Sequence, residues 1–141
     1  MDYTQFVDGL LHEPTQTEGR GLDLTAAEVY EVTGPGRVDF GGGELEPADA
    51  EPCPSQKRTE DDDYEWWHLD AGQFLLEYNE SLTAGNMALT IQTRDELRAR
   101  GAFHPTLRVT DLDPVPLSVG GAGLLLKENA RVSTVVGAEP A

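Results

Sequence analysis

Apolar residues recur along this chain mostly at every second position, in short runs separated by turn signals. Leu22, Leu24 and Ala26 alternate into Val29, Tyr30 and Val32. That is the period of a strand with one buried face, and Gly34-Pro35-Gly36 ends it in a turn. Val38 and Phe40 predict a short following strand, broken by Gly41-Gly42-Gly43. Residues 74–78 and 87–92 read as buried strands, and Trp66, Trp67 and Leu69 precede the turn Asp70-Ala71-Gly72. Shorter strands are predicted around 107–109, 117–119, 124–126 and 132–136. Phe6, Val7, Leu10 and Leu11 fit a short helix or a buried edge segment. One short helix is predicted over 93–100. Thr93 and Glu96 have capping-box spacing, Asp95 and Glu96 suit the positive N-terminal end, Arg98 and Arg100 suit the other end, and Gly101 can close the helix. Many short strands with one helix predict an all-β sandwich or barrel, in a single domain over 1–141. Residues 44–63 stand apart. Pro47, Pro52, Pro54 and the run Glu60-Asp61-Asp62-Asp63, with almost no large apolar side chain, predict an exposed acidic, Pro-rich loop.

Charge changes this picture more than size does. The 141 residues carry 26 acidic and 10 basic side chains, for a formal net charge of -16. Lys57 and Lys127 are the only lysines. Such self-repulsion opposes compaction, yet apolar periodicity runs through both halves, so a folded protein in molar salt is the expectation: a short screening length relieves the repulsion there. No basic stripe exists to contact phosphates, which excludes a nucleic-acid-binding class. The carboxylates are spread along the chain, against nucleic-acid mimicry. The single cysteine, Cys53, has no partner for an internal disulfide, and a reducing compartment follows. No apolar stretch reaches membrane-spanning length and no signal-peptide pattern opens the chain, so a cytoplasmic protein is expected.

His12, His68 and His104 lie far apart, without metal-ligand spacing, so no metal site is predicted. Walker, nucleophile-elbow, dinucleotide and EF-hand patterns are missing. Trp66-Trp67 has two readings: a stacking platform for a base, or one ring in the core and one on the surface.

The segment Tyr64-Glu65-Trp66-Trp67-His68-Leu69-Asp70-Ala71-Gly72-Gln73-Phe74-Leu75-Leu76-Glu77-Tyr78-Asn79-Glu80 resembles the strand, turn and strand that open the core of the dUTPase and dCTP deaminase superfamily, with its Tyr-x-Glu ending. Gly21-Leu22-Asp23-Leu24 resembles the family's Gly-x-Asp-Leu motif. Arg94-Asp95-Glu96-Leu97 sits where the family has Arg-Ser-Ser-Leu. Ala130-Arg131-Val132-Ser133-Thr134-Val135-Val136 resembles the closing Ala-Arg-Ile-Ala-Gln-Leu-Val strand. The ordered set spans most of residues 20 to 136.

The resemblance implies a distorted β-barrel or jelly-roll-like fold, usually a homotrimer with sites between subunits. It implies conversion of dUTP to dUMP and pyrophosphate, or deamination of dCTP, with Mg²⁺ on the triphosphate. Asp23 would help organise metal and water, and Arg94 would contact phosphate. The family's Asp-Pro-Gly-Tyr-x-Gly hairpin, which shapes the sugar and base pocket and carries a catalytic acid, is replaced by Thr110-Asp111-Leu112-Asp113-Pro114-Val115-Pro116; Asp111 or Asp113 is its candidate substitute. Both family serines become carboxylates, Asp95 and Glu96, which repel a triphosphate. Thr134 replaces the closing-strand Gln. Glu128 lies near the deaminase glutamate's place but belongs to the turn Lys127-Glu128-Asn129. Two other readings stand beside the enzyme: a non-catalytic nucleotide-sensing or assembly subunit, and an acidic interaction module.

Overall fold

The computed structural model describes residues 1–83 and 85–141. In chain order, a 3-10 turn (Tyr3–Phe6) leads to β1 (Val7–Asp8), α1 (Glu13–Gln16), β2 (Leu22–Gly34), β3 (Asp49–Pro52), β4 (Ser55–Gln56), β5 (Trp66–Leu69), β6 (Gly72–Tyr78), β7 (Ser81–Leu82) and β8 (Met87–Thr93). Then follow α2 (Asp95–Arg98), β9 (Ala102–Phe103), β10 (Leu107–Val109), β11 (Val115–Val119), β12 (Leu124–Lys127) and β13 (Arg131–Pro140). The fold is all-β, and its largest sheet curls into a half-barrel.

That sheet runs β10-β8-β13-β2-β6-β11-β9, with β3 beside the far half of β2, and its neighbours pair antiparallel. A three-stranded sheet, β12-β5-β4, and the pair β1-β7 complete the strands. β2 is the organising strand. Its first residues pair with β13, its middle pairs with β6, and the hand-over falls at an irregularity between Ala26 and Glu28. The local extra twist of such a bulge is how one strand can serve two neighbours in a curled sheet.

Leu22, Leu24, Ala26 and Val29 of β2 meet Leu76, Leu89, Ile91, Leu117, Val132 and Val135 in one core, all essentially inaccessible to water. Burying each large aliphatic side chain contributes about 1.5–3 kcal/mol before entropy is counted. Trp67 joins that core. Trp66 is half-exposed, with the Arg58 guanidinium 4.5 Å from its ring centroid. The two rings therefore divide between core and surface.

Several local expectations are corrected. Two short α-helices and a 3-10 turn are present, not one helix. α2 is capped at Arg94, without a side-chain cap bond. Thr93 points inward instead, its hydroxyl donating to the His104 carbonyl at 2.8 Å and accepting the His104 amide at 2.9 Å. It is the last residue of a buried strand, so tertiary bonding overrides the local capping pattern. Val38 and Phe40 form no strand beyond an isolated Arg37–Glu46 bridge, and both side chains are exposed. Within 44–63, Asp49–Pro52 pairs with β2 and Ser55–Gln56 with β5. Backbone pairing at a sheet edge needs no apolar alternation, so composition did not reveal those strands. Among the described residues, no helix is long and apolar enough to cross a membrane.

Candidate functional site

Gly21 brings the chain onto β13: a Cβ there would overlap the Val135 carbonyl oxygen. Only glycine permits that approach, and it sets Asp23 two residues later, directly opposite Thr134. Asp23 is 4% exposed. Its Oδ1 accepts from the Thr134 hydroxyl at 2.8 Å. Its Oδ2 accepts from Arg131 Nη1 at 3.1 Å and lies 3.4 Å from Arg94 Nε. Arg94 stands at the entrance to α2, directly after the end of β8. Sheet register and one tight glycine thus bring residues 23, 94, 131 and 134 to one point.

These groups line an open cleft of about 340 Å³, together with Glu18, Gly19, Arg20, Asp95 and Glu96. Three guanidiniums and four carboxylates share it. Each guanidinium is engaged by the chain's own carboxylates. Arg94 lies 3.4 Å from Glu96 as well as Asp23, Arg131 is 2.9 Å from Glu18, and Arg20 is 3.5 Å from Asp95. Arg98 reaches Asp95 at 2.6 Å. The arginines are the groups that can hold phosphoryl oxygens, because a guanidinium offers a planar fork of donors. Any polyanion must displace Glu18, Asp95 and Glu96 from them.

Two buried polar networks support this region. Glu80 accepts from the Thr25 amide at 2.9 Å, the Thr25 hydroxyl at 2.6 Å and Gln16 Nε2 at 2.9 Å. Burial raises its pKa, and the hydrogen bonds from Thr25 and Gln16 oppose that rise only in part. Gln16 also donates to the Asp23 carbonyl at 2.9 Å, tying α1 to the strand that carries Asp23. The second network is Tyr78, Ser133 and His104. Ser133 Oγ lies 2.6 Å from the Tyr78 hydroxyl and 2.7 Å from His104 Nε2. His104 Nδ1 is 2.7 Å from the Pro105 carbonyl, which can only accept, so Nδ1 carries the proton and Nε2 accepts from Ser133. Burial lowers the His104 pKa, keeping the ring neutral.

Of the residues expected from sequence, Asp23 and Arg94 come together and Asp111 does not join them. β10 pairs Leu107 with Ile91 and Val109 with Leu89, so it runs away from Arg94, and Asp111 lies beyond its far end. At about 3.3 Å per residue the separation along the strands is on the order of 20 Å. Asp111 Oδ1 instead accepts the Asp113 amide in a local turn. Glu128 accepts the Glu65 amide at 2.8 Å.

No protein-family model matches the chain. Two curated proteins do. Each is described as a probable deoxyuridine 5'-triphosphate nucleotidohydrolase, one from Methanosarcina acetivorans and one from Methanosarcina mazei. They are 34% and 31% identical over 125 residues, covering 84% of this chain and 69% of each relative. The chain belongs to the dUTPase superfamily.

The names of the two relatives support deoxypyrimidine nucleotide metabolism at the level of the family. Sequence reasoning about this dUTPase relative passed over Arg131, Arg20 and Glu18 as site residues. Arg131 stood in plain view in the closing-strand match, but which face it takes depends on the irregularity between Arg131 and Ser133. Arg20 and Glu18 sit in a loop with no periodic pattern, and nothing in the sequence signals their direction.

Proposed function

We propose that this protein binds a deoxypyrimidine nucleoside triphosphate in the arginine-lined cleft and hydrolyses dUTP to dUMP and pyrophosphate. The observation that carries the reading is the Asp23 carboxylate, buried and held between Arg94, Arg131 and Thr134 at the cleft floor. Arg94, Arg131 and Arg20 would bind phosphoryl oxygens. Asp23, fixed in orientation by Thr134, would orient and deprotonate the attacking water once the arginines turn to substrate. Mg²⁺ enters as part of the substrate, on the triphosphate. Among the described residues no group of three His, Cys, Asp or Glu side chains is placed to hold a resident ion, and both Asp23 oxygens are already bonded. A homotrimer with sites at subunit junctions would let Asp111 of a neighbouring subunit complete the site, since within one chain it stands far from Asp23.

The test is chromatographic detection of dUMP and pyrophosphate from dUTP, with dCTP in parallel, in high KCl with MgCl₂. Wild type should form both products, and Asp23→Asn should lower turnover about 100-fold or more, the range expected for losing a positioned base. Folded wild-type protein that forms no product, or full activity in Asp23→Asn, overturns the reading.

A non-catalytic nucleotide-binding subunit is the second reading. The self-paired arginines favour it, because Glu18, Asp95 and Glu96 already occupy them. Thermal stabilisation by dUTP without product is its signature. dCTP deamination has less support, since Glu128 is committed to the Glu65 amide.

A further inference from the structure

Arg131 Nη1 is over-subscribed. It carries two hydrogens, and three oxygens stand within hydrogen-bonding distance: the Thr15 carbonyl at 3.1 Å, Asp23 Oδ2 at 3.1 Å and Glu18 Oε1 at 2.9 Å. One of the three is therefore surplus. Thr15 and Asp23 are fixed. Gln16, next to Thr15, is buried and uses every hydrogen-bonding position of its amide. Its Nε2 donates to the Asp23 carbonyl and to Glu80, and its Oε1 accepts the Leu11 amide at 2.8 Å and the His12 amide at 2.9 Å. Asp23 is held by Thr134 as well. Glu18 differs. Its side chain is 58% exposed, and among the described residues its carboxylate has no hydrogen-bond partner other than Arg131. It can turn to water and leave both Nη1 hydrogens paired.

We infer that Glu18 is a built-in competitor for the anion site. It neutralises Arg131 until an anion arrives, then swings out to solvent, and it gives anion binding a salt dependence opposite in sign to that of an ordinary basic site. The inference rests on the reading of the cleft as a phosphate site and adds how that site is regulated and by which residue.

The sign follows from counting ions. An ordinary basic site and its ligand carry bulk counterions and shed them on binding, so salt weakens the complex. Here the chain's own carboxylates already stand against the arginines, so little bulk chloride is there to release. The expelled Glu18 carboxylate gathers a bulk cation instead, and net ion uptake means that salt strengthens binding. The surrounding charge pushes the same way. Three guanidiniums face four carboxylates in the cleft. The net charge of -16 repels an anion over a range that salt shortens, from about 10 Å at about 0.1 M to about 3 Å at about 1 M.

The experiment is equilibrium titration of inorganic pyrophosphate, without added Mg²⁺, against the intact chain from about 0.1 to about 2 M KCl. A melting curve at each salt confirms that the protein is folded. Wild type, Glu18→Gln and Glu13→Gln are compared. Glu13 is exposed, lies in α1 and does not line the cleft, so its substitution makes the same charge change away from Arg131. At low salt Glu18→Gln should bind pyrophosphate about three- to ten-fold more tightly than wild type, the range for removing an exposed ion pair and a nearby like charge. At the highest salt that gain should shrink to about two-fold or less. Wild-type affinity should rise with KCl. The slope of log affinity against log salt should fall by about one in Glu18→Gln, the step expected for one ionic contact. Glu13→Gln should follow wild type. Binding seen in Glu18→Gln alone also supports the inference. Equal affinity and slope in Glu18→Gln and Glu13→Gln overturn it, and so does wild-type affinity that falls with salt as steeply as that of Glu18→Gln. In either case dUTP hydrolysis keeps the nucleotide reading. Folded protein that binds no pyrophosphate in any of the three forms ends the phosphate site and its competitor together.

Discussion

Asp23 and Glu80 are both buried carboxylates, 4% and 3% exposed, and they are joined through one glutamine, Gln16, which donates to the Asp23 carbonyl and to the Glu80 side chain. Their surroundings are opposite. Asp23 faces two guanidiniums in an open cleft. Glu80 faces only neutral donors, the Thr25 amide and hydroxyl and the Gln16 amide. A carboxylate paired with guanidiniums that border an open cleft can exchange partners when an anion arrives. A carboxylate held by backbone and amide donors cannot do so without leaving them unpaired. The first arrangement suits chemistry, and the second holds the chain in place.

The sharpest way to break this contrast is substitution. Glu80→Ala strands the Thr25 amide and one of the two Gln16 Nε2 hydrogens, the other staying on the Asp23 carbonyl, and each buried unpaired donor costs about 1–3 kcal/mol. Chemical denaturation should show at least that loss, whereas Asp23→Asn should act chiefly on turnover. A stable Glu80→Ala protein alongside an unfolded Asp23→Asn protein would reverse the assignment of roles.

The pH dependence of stability gives a finer comparison. The folded-state pKa of Glu80 is raised above 4.5, so the native state holds this proton more tightly than the unfolded chain. Its contribution is fully present below about pH 4.5 and is lost as pH rises through the folded pKa. His104 runs the other way: its pKa is lowered below 6.5, so its contribution is present above about pH 6.5 and lost as pH falls through the folded value. Melting temperatures measured from pH 4 to 8 should show the Glu80→Gln variant gaining relative to wild type at the upper end. His104→Asn should gain relative to wild type at the lower end. Parallel curves for wild type and both variants would remove the burial argument.

The smallest effect is expected at the opposite end of β2. Val38, Phe40 and Leu45 are exposed there. Phe40→Ser should change unfolding free energy by less than about 0.5 kcal/mol, as surface substitutions usually do. A larger loss would show that this tip is packed in solution.

Several strands were legible because burial on one face imposes a period-2 pattern, and 22–32, 74–78 and 87–92 display it; their order in the sheet was not. Thr93 misled, because a capping pattern is local and its hydroxyl was taken by His104 in the packed fold. Asp23 and Arg94 were legible as candidates through motif order. Arg131 was not, because a side chain's face across a bulged, curled sheet depends on register.

By itself, the sequence determined the alternation that builds an all-β core and a strongly acidic charge balance; why residue 21 must be glycine emerged only where β2 meets β13. The tertiary structure alone decided which charges meet. Ion pairs and pockets here join residues more than a hundred positions apart, such as Asp23 and Arg131. Their meeting depends on antiparallel register, which shifts side chains by a full face when it slips by one residue.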